Sequence, residues 1–195
     1  MKPSTVRTSA PLNLPVALTS VRIAVIPLFV FVFYLPADWS RPAAALIFSF
    51  ACLTDWLDGY LARRLGQITA FGTFLDPVAD KLMIAVALVL LVQSDPSMFV
   101  GIAAAIIIGR EITVSALREW MAESGARDRV AVSVIGKVKT IMQMVGVGCM
   151  LYQLPLFGLP MYEVGVLSLI AAAALTLWSM VLYLRAAWPA IADRI

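Results

Sequence analysis

The sequence predicts an all-α integral membrane protein with six transmembrane helices. The chain has 195 residues, of which 62% are hydrophobic and 14% charged, and its mean hydropathy is +0.92. Soluble domains carry about half apolar and about a quarter charged residues, and small domains leave much of their surface exposed to water. A soluble enzyme and a disordered chain are therefore both disfavoured. Because one crossing takes about 20 residues, six crossings account for nearly all of the apolar content.

Six apolar runs supply the predicted helices in order along the chain. The first run follows Lys2 and Arg7, as in a signal peptide, but no clear small-residue cleavage site follows it, so we interpret it as the first crossing. Residues 1–15 predict a polar lead-in with a short interfacial helix, and residues 1–195 form one predicted domain. Pro-containing turns at 35–42 and 154–160 predict short outer connections. The runs are Leu18–Leu35, Pro42–Ala62, Pro77–Val92, Met98–Leu117, Ala131–Leu154 and Val164–Ala187.

Basic residues predict the orientation of these helices, because cytoplasmic loops of membrane proteins are enriched in Lys and Arg. With six crossings the predicted outer side carries a single basic residue, Arg41, close to Asp38. We therefore predict that both termini are cytoplasmic. The net charge of +3 requires no nucleic-acid partner, since basic residues at this surface suit anionic lipid headgroups. The predicted cytoplasmic basic residues are Lys2, Arg7, Arg22, Arg63, Arg64, Arg127, Arg129, Lys137, Lys139, Arg185 and Arg194.

Some residues inside the apolar runs favour packing over chemistry. Gly101, Gly146 and Gly148 predict close approach of neighbouring helices, as is common in membranes. The two cysteines, Cys52 and Cys149, lie in apolar runs and indicate packing rather than a disulfide or a metal site.

Four aspartates form the most informative pattern in the chain. Asp55 and Asp58 are three residues apart on the second predicted helix, and Asp76 and Asp80 are four apart at the start of the third. Each spacing places both carboxylates on one helix face. Four carboxylates in a low-dielectric place repel one another unless a cation compensates them. Since the chain has no His, oxygen-only ligands point to one or two hard divalent cations, which would clamp a phosphoryl group.

Two other interpretations of these acids remain open. In the first, the aspartates form ordinary ion pairs with Arg63, Arg64 and Lys81 at the cytoplasmic helix ends. Four acids at regular spacing around Gly59 and Gly72 disfavour that interpretation. In the second, the acids are the transport site of a divalent-cation transporter. Their clustering toward one membrane face disfavours it, because transporters place their sites near the midplane.

A second polar set lies on the fourth and fifth predicted helices. It consists of Arg110 with Glu111, then Arg118, Lys137 and Lys139. These cations outnumber the nearby acids, so a phosphate dianion is a suitable partner for them. The alternative is a belt of cations that extend from the helices to the inner interface.

The aspartate pattern resembles the signature of the CDP-alcohol phosphatidyltransferase family. It reads Asp55-x2-Asp58-Gly59-x2-Ala62-Arg63-x8-Gly72-x3-Asp76-x3-Asp80, with every fixed position filled. The resemblance implies six transmembrane helices and an active site at the cytoplasmic surface. It also implies the reaction, in which a hydroxyl attacks the β-phosphorus of a CDP-linked lipid and CMP leaves.

The same resemblance implies the roles of individual residues. Asp55, Asp58, Asp76 and Asp80 would bind two divalent ions, Mg²⁺ or Mn²⁺, and Asp80 would also be the general base. The CDP-lipid contacts would come from Asn13, Thr19, Asp55, Gly59, Arg63 and Thr69. The N-terminal contacts belong to the pattern Asn13-Leu-Pro-x3-Thr19-x2-Arg22, which departs from the usual Asn-x-Pro-Asn at Val16.

The segments Arg110–Trp120 and Gly136–Thr140 resemble one branch of that family, whose acceptor is sn-glycerol 3-phosphate. The resemblance implies that CDP-diacylglycerol is the donor and that phosphatidylglycerophosphate is made, the committed step toward phosphatidylglycerol and cardiolipin. The acceptor phosphate would bind Arg110, Arg118, Lys137 and Lys139. The resemblance further implies a homodimer in a bacterial inner membrane, with its active site facing the cytoplasm. An inositol phosphate or serine is the alternative acceptor.

Overall fold

The described parts of the chain form six long helices in succession, as the apolar runs predict. The structure is a computed structural model that describes residues 14–65, 70–123 and 134–192, and these residues form helices and short connections without a named strand. The predicted interfacial helix within residues 1–15 lies outside this part of the chain, except for its last two positions. The helices are α1 (Leu14–Tyr34), α2 (Ser40–Leu65), α3 (Ala70–Ser94), α4 (Met98–Glu123), α5 (Val134–Tyr152) and α6 (Met161–Ala192).

Contacts between helix termini show which ends of the bundle lie together. The Tyr34 hydroxyl at the end of α1 donates a hydrogen bond to Gln93 at the end of α3. Near the start of α2, the Arg41 guanidinium lies 3.9 Å from the centre of the Phe33 ring. We call this the Arg41 end of the bundle. The connections at 35–39 and 153–160 lie there, which confirms the two predicted short connections.

The hydrophobic core occupies the half of the bundle nearest the Arg41 end. Its fully buried large side chains include Phe29, Phe48, Leu88 and Met150, which come from α1, α2, α3 and α5. Helix α5 packs most extensively against α6, and α1 against α2. Beyond the core, toward the opposite end of the bundle, polar side chains such as Arg22, Arg110 and Lys139 are buried alongside apolar ones. We call that opposite end the Asp55 end.

The outer surface of the bundle suits a hydrocarbon environment. Within the described residues, two helical stretches are long and apolar enough to cross a membrane by length and composition, Met98–Met121 and Met161–Arg185. Shorter apolar stretches cover Thr19–Tyr34, Lys81–Ser94 and Val138–Tyr152. Large apolar side chains such as Leu167, which is 71% exposed, point outward. Such exposure is costly in water, whereas a lipid environment accommodates it.

Close packing of α5 on α6 depends on two glycines that face each other. A Cβ atom added to Gly146 would lie 3.0 Å from the Leu169 backbone nitrogen, and one added to Gly165 would lie 2.7 Å from that of Met150. The prediction of close approach is thus confirmed for Gly146, while Gly165 was not predicted. A Cβ on Gly148 would be in ordinary contact with Ser49, and one on Gly101 would meet nothing within 4 Å.

We expect Gly165→Ala to destabilise the fold by about 2 kcal/mol, because the new methyl group must push two helix backbones apart. The measurement is the midpoint of thermal unfolding in detergent micelles, followed by circular dichroism. Gly101→Ala is the matched control and should leave the midpoint unchanged or slightly higher, since alanine favours helix. Equal midpoints for the two variants would show that α5 and α6 separate without cost.

Candidate functional site

A cavity of about 460 Å³ lies at the Asp55 end, between α3, α4 and α5. Its lining combines ionisable groups with an apolar wall, so we call it the amphipathic cavity. The polar lining residues are Asp55, Lys81, Glu111, Lys139, Thr140 and Gln143. The apolar lining residues are Val78, Leu82, Ile84, Ala85, Ile107, Ile108, Ile112 and Met144. Such a cavity suits a ligand that carries charge at one end and hydrocarbon at the other.

Asp55 is held in place by an arginine from another helix. The Arg22 guanidinium on α1 donates a hydrogen bond of 2.9 Å to Oδ1 of Asp55 on α2. The Arg22 side chain is 3% exposed and that of Asp55 is 30% exposed, because Asp55 also faces the cavity. The pair joins α1 to α2 and fixes the orientation of the carboxylate toward the cavity.

Glu111 connects two buried cations. Its Oε2 accepts a hydrogen bond of 2.8 Å from Arg110 and lies 3.9 Å from the Lys139 Nζ. Arg110 also lies 5.7 Å from the centre of the Tyr183 ring on α6. Arg110 and Lys139 are both buried, so Glu111 brings two cations together in a low-dielectric place. Buried cations that line or adjoin the cavity, as Lys139 and Arg110 do, can attract an anionic ligand to the Asp55 end.

Lys81 joins the cavity wall formed by α3 to the wall formed by α4. Its ammonium group donates a hydrogen bond to the Ser115 hydroxyl, which in turn donates to the backbone carbonyl of Glu111 at 2.6 Å. The described partner of Lys81 is therefore a hydroxyl group, and the described partner of Asp55 is Arg22. The alternative interpretation requires ion pairs between the aspartates and Arg63, Arg64 or Lys81. Neither of the two described contacts is such a pair.

The prediction of the aspartate cluster assumed that each pair of aspartates lies on one helix, and the structure confirms this. Asp55 and Asp58 both belong to α2, and Asp76 and Asp80 both belong to α3. Because α3 begins at Ala70 rather than at Pro77, its two aspartates lie in the second and third helical turns instead of the first. The side chains of Asp58, Asp76 and Asp80 lie outside the part that the structure describes. Among the described residues, no group of three or more His, Cys or acidic residues is placed to hold a metal ion.

The remaining predicted residues divide into those the structure places and those it does not. Thr19 is fully buried on α1, and Lys139 lines the cavity, whereas Arg110 packs behind Glu111 and is absent from the described lining. Asn13 and Thr69 lie outside the described residues. The positions of Gly59, Arg63, Arg118 and Lys137 are described for their helical backbone alone.

Two residues of the candidate site were not predicted from the sequence. Ser115 was not singled out, and its role depends on the distant Lys81. Gln143 was also missed, although a signal for it exists in the sequence. It follows Lys139 by four residues within an apolar run, which places both side chains on one face of α5.

Comparisons with known proteins relate the chain to one family. The family model described as CDP-alcohol phosphatidyltransferase matches residues 12–182. The chain is 53% identical over 182 residues to a protein of Shigella flexneri serotype 5b, covering 93% of this chain and 98% of that protein. It is 54% identical over 179 residues to a protein of Pseudomonas fluorescens, covering 91% of each. A protein of Escherichia coli K12 is 52% identical over 182 residues, with 93% and 98% covered. All three are named CDP-diacylglycerol–glycerol-3-phosphate 3-phosphatidyltransferase.

Proposed function

The chain belongs to the CDP-alcohol phosphatidyltransferase family, and we infer that it transfers the phosphatidyl group of CDP-diacylglycerol to glycerol 3-phosphate. The products are phosphatidylglycerophosphate and CMP. The relatives whose names state this reaction match more than nine-tenths of the chain at about half identity. Both substrates are anions, and one of them carries two hydrocarbon chains.

The observation that carries this inference is the amphipathic cavity. Lys81 and Lys139 supply cations for phosphate groups, and the side chains of Ile84, Ile107 and Ile108 supply an apolar wall for the lipid. A purely polar acceptor site would not need that wall, and a purely lipid-binding groove would not need the buried cations. The two cations that meet at Glu111 support a phosphate as the acceptor's anionic group.

The aspartates of α2 and α3 would perform the chemistry. Asp80 would accept the proton of the acceptor hydroxyl as that oxygen attacks the β-phosphorus, and the phosphoanhydride bond to CMP would break. A divalent metal, on which the family generally depends, would be held by Asp55, Asp58, Asp76 and Asp80 and would offset the charge of the diphosphate. This donor set fits such an ion, because carboxylate oxygens are the preferred ligands of Mg²⁺ and Mn²⁺. Arg22 would keep Asp55 oriented for this task.

We propose the roles of the remaining predicted residues on the same basis. Asn13, Thr19, Gly59, Arg63 and Thr69 would contact the CDP-lipid. Arg110, Arg118, Lys137 and Lys139 would supply the positive field around the acceptor phosphate, with Arg110 acting through Glu111.

The proposed membrane arrangement has six crossings with both termini in the cytoplasm of a bacterial cell. It is supported by the position of Arg41 at one bundle end and by the charged cavity at the other. The active site would then open at the cytoplasmic face of the inner membrane, where water-soluble glycerol 3-phosphate is available. The proposed homodimer rests on the family resemblance.

A panel of acceptors tests the proposed function. Purified protein with Mg²⁺ and CDP-diacylglycerol should release CMP with glycerol 3-phosphate and not with serine or an inositol phosphate. Release with either of the latter alone would assign the same chemistry to another acceptor. Divalent-metal flux into proteoliposomes without CMP release would instead indicate a transporter.

A variant of the cavity links that reaction to the site described above. Lys139→Met should raise the KM for glycerol 3-phosphate at least about tenfold while leaving the KM for CDP-diacylglycerol within about twofold, because one charge-assisted hydrogen bond is lost. Equal increases in both constants would show that Lys139 does not face the acceptor.

A further inference from the structure

Gln143 is a largely buried residue whose side chain lines the amphipathic cavity. The residue is 8% exposed, lies on α5, and has no hydrogen bond in the described part of the chain. Its amide atoms are not among the described polar atoms that are fully enclosed without a partner, so the amide is open to the cavity. A primary amide offers two donors and one acceptor, and these groups are available to a ligand that enters the cavity.

The lining of the cavity changes from charged to apolar along the bundle axis. Lys81, Glu111 and Lys139 form one level. One helical turn nearer the Arg41 end, α3 contributes Ala85 and α4 contributes Ile107. Gln143 follows Lys139 by four residues and therefore lies about 6 Å deeper than the charged level. Among the described lining residues it is the one polar side chain at this deeper level.

A second cavity extends the apolar level toward the Arg41 end. It measures about 220 Å³, lies between α3 and α4, and shares Ile108 with the amphipathic cavity. Its other lining residues are Leu88, Val89, Val92, Gly101, Ala104 and Ala105. From the Asp55 end toward the Arg41 end, the described lining residues are thus first charged, then include the amide of Gln143, and are then apolar.

We propose that the Gln143 amide donates a hydrogen bond to an ester carbonyl of the diacylglycerol in the donor substrate, and that Gln143 is a specificity-determining residue for ester-linked lipid. The proposal rests on the proposed function. In CDP-diacylglycerol the ester groups lie between the diphosphate and the hydrocarbon, which is the order found along the cavity. The ester carbonyls are the polar groups of the lipid that reach the depth of Gln143 when the diphosphate lies at the charged level.

The acceptor substrate fits this position less well. Its hydroxyl has to reach the reacting phosphorus, which binds at the level of the carboxylates and cations, and its phosphate also belongs at that level. An acceptor that reached Gln143 would place its charged group against Ile107 and Ala85, where burial of an unpaired charge is unfavourable.

A substrate lacking the carbonyl groups tests the proposal. The probe is CDP-dialkylglycerol, in which ether linkages replace the two esters, compared with CDP-diacylglycerol of the same chain length. The unmodified protein should prefer the ester substrate by about tenfold in kcat/KM, because the ether lacks the carbonyl oxygen that accepts the hydrogen bond from the Gln143 amide. Gln143→Met keeps the shape of the side chain and removes the amide. We therefore expect this variant to use the ester and ether donors with about equal kcat/KM, while its KM for glycerol 3-phosphate is unchanged.

Gln93→Met is the matched control, since Gln93 lies at the Arg41 end and contacts Tyr34. It should keep the tenfold ester preference. An unmodified protein that handles ester and ether donors equally would overturn the proposal, and so would a Gln143→Met variant that retains the preference. A selective rise in the KM for glycerol 3-phosphate would place Gln143 at the acceptor instead. Failure of the proposed function is a separate result, because the unmodified protein would then release no CMP from either donor.

Discussion

Asp80→Asn should lower CMP release by at least about 1,000-fold. A general base alone contributes about 100- to 10,000-fold, and Asp80 is also proposed to belong to the set of carboxylates that holds the metal. Asn keeps the size of the side chain but neither accepts a proton at neutral pH nor carries the negative charge. The measurement is kcat at saturating CDP-diacylglycerol, glycerol 3-phosphate and Mg²⁺.

Asp95→Asn is the matched control for this change. Asp95 lies just beyond the other end of α3, where its Oδ1 accepts a hydrogen bond of 3.0 Å from the Ser97 backbone at the start of α4. An asparagine oxygen can accept the same hydrogen bond, so kcat should stay within about twofold of the unmodified protein. An Asp80→Asn variant that keeps a tenth or more of the normal kcat would exclude Asp80 as the base.

The order of the helices could be predicted from hydropathy because each crossing leaves an apolar run of the necessary length. The ends of the helices were harder to predict. Helix α3 starts at Ala70, seven residues before the predicted apolar run. The prediction missed these first turns because they carry the aspartates and Gly72, which interrupt the apolar pattern. Backbone hydrogen bonds continue the helix through these polar residues, whereas hydropathy detects only apolar side chains. The side-by-side packing of α5 and α6 through Gly165 was not predicted for a related reason, since it depends on which helix faces lie together.

In the candidate site too, relations within one helix could be predicted from the sequence, whereas contacts between helices could not. Spacing within one helix identified the aspartates as residues that share a face, and the structure places each pair in one helix. By contrast, the partner of Asp55 is Arg22, 33 residues earlier, and Glu111 meets Lys139 from the next helix. No periodicity in the sequence specifies contacts between helices. Gln143 could have been found from its spacing to Lys139, but its meaning depends on the apolar residues that surround it on α3 and α4.

Variants of Arg22 and Asp55 should separate the contribution of this ion pair to stability from the contribution of the Asp55 carboxylate to turnover. Asp55→Asn removes the ion pair between the Asp55 carboxylate and the Arg22 guanidinium, whose side chain is 3% exposed. Breaking a buried pair from one side costs about 3–5 kcal/mol, and the partial exposure of Asp55 reduces this to about 2 kcal/mol. Arg22→Met should cost less, because Asp55 faces the cavity and can be solvated there. The free energy of unfolding by sodium dodecyl sulfate in mixed micelles measures both effects.

The double variant Arg22→Met/Asp55→Asn separates the two contributions. It removes both members of this ion pair, so it should regain about 1–2 kcal/mol relative to Asp55→Asn alone, as expected for residues in direct contact. Turnover should not return with stability, because a carboxylate at position 55 is part of the proposed metal-binding set and Asn does not replace it. If the double variant recovered CMP release along with stability, Asp55 would have to be assigned a packing role, and the catalytic set would be reduced to the carboxylates of Asp58, Asp76 and Asp80.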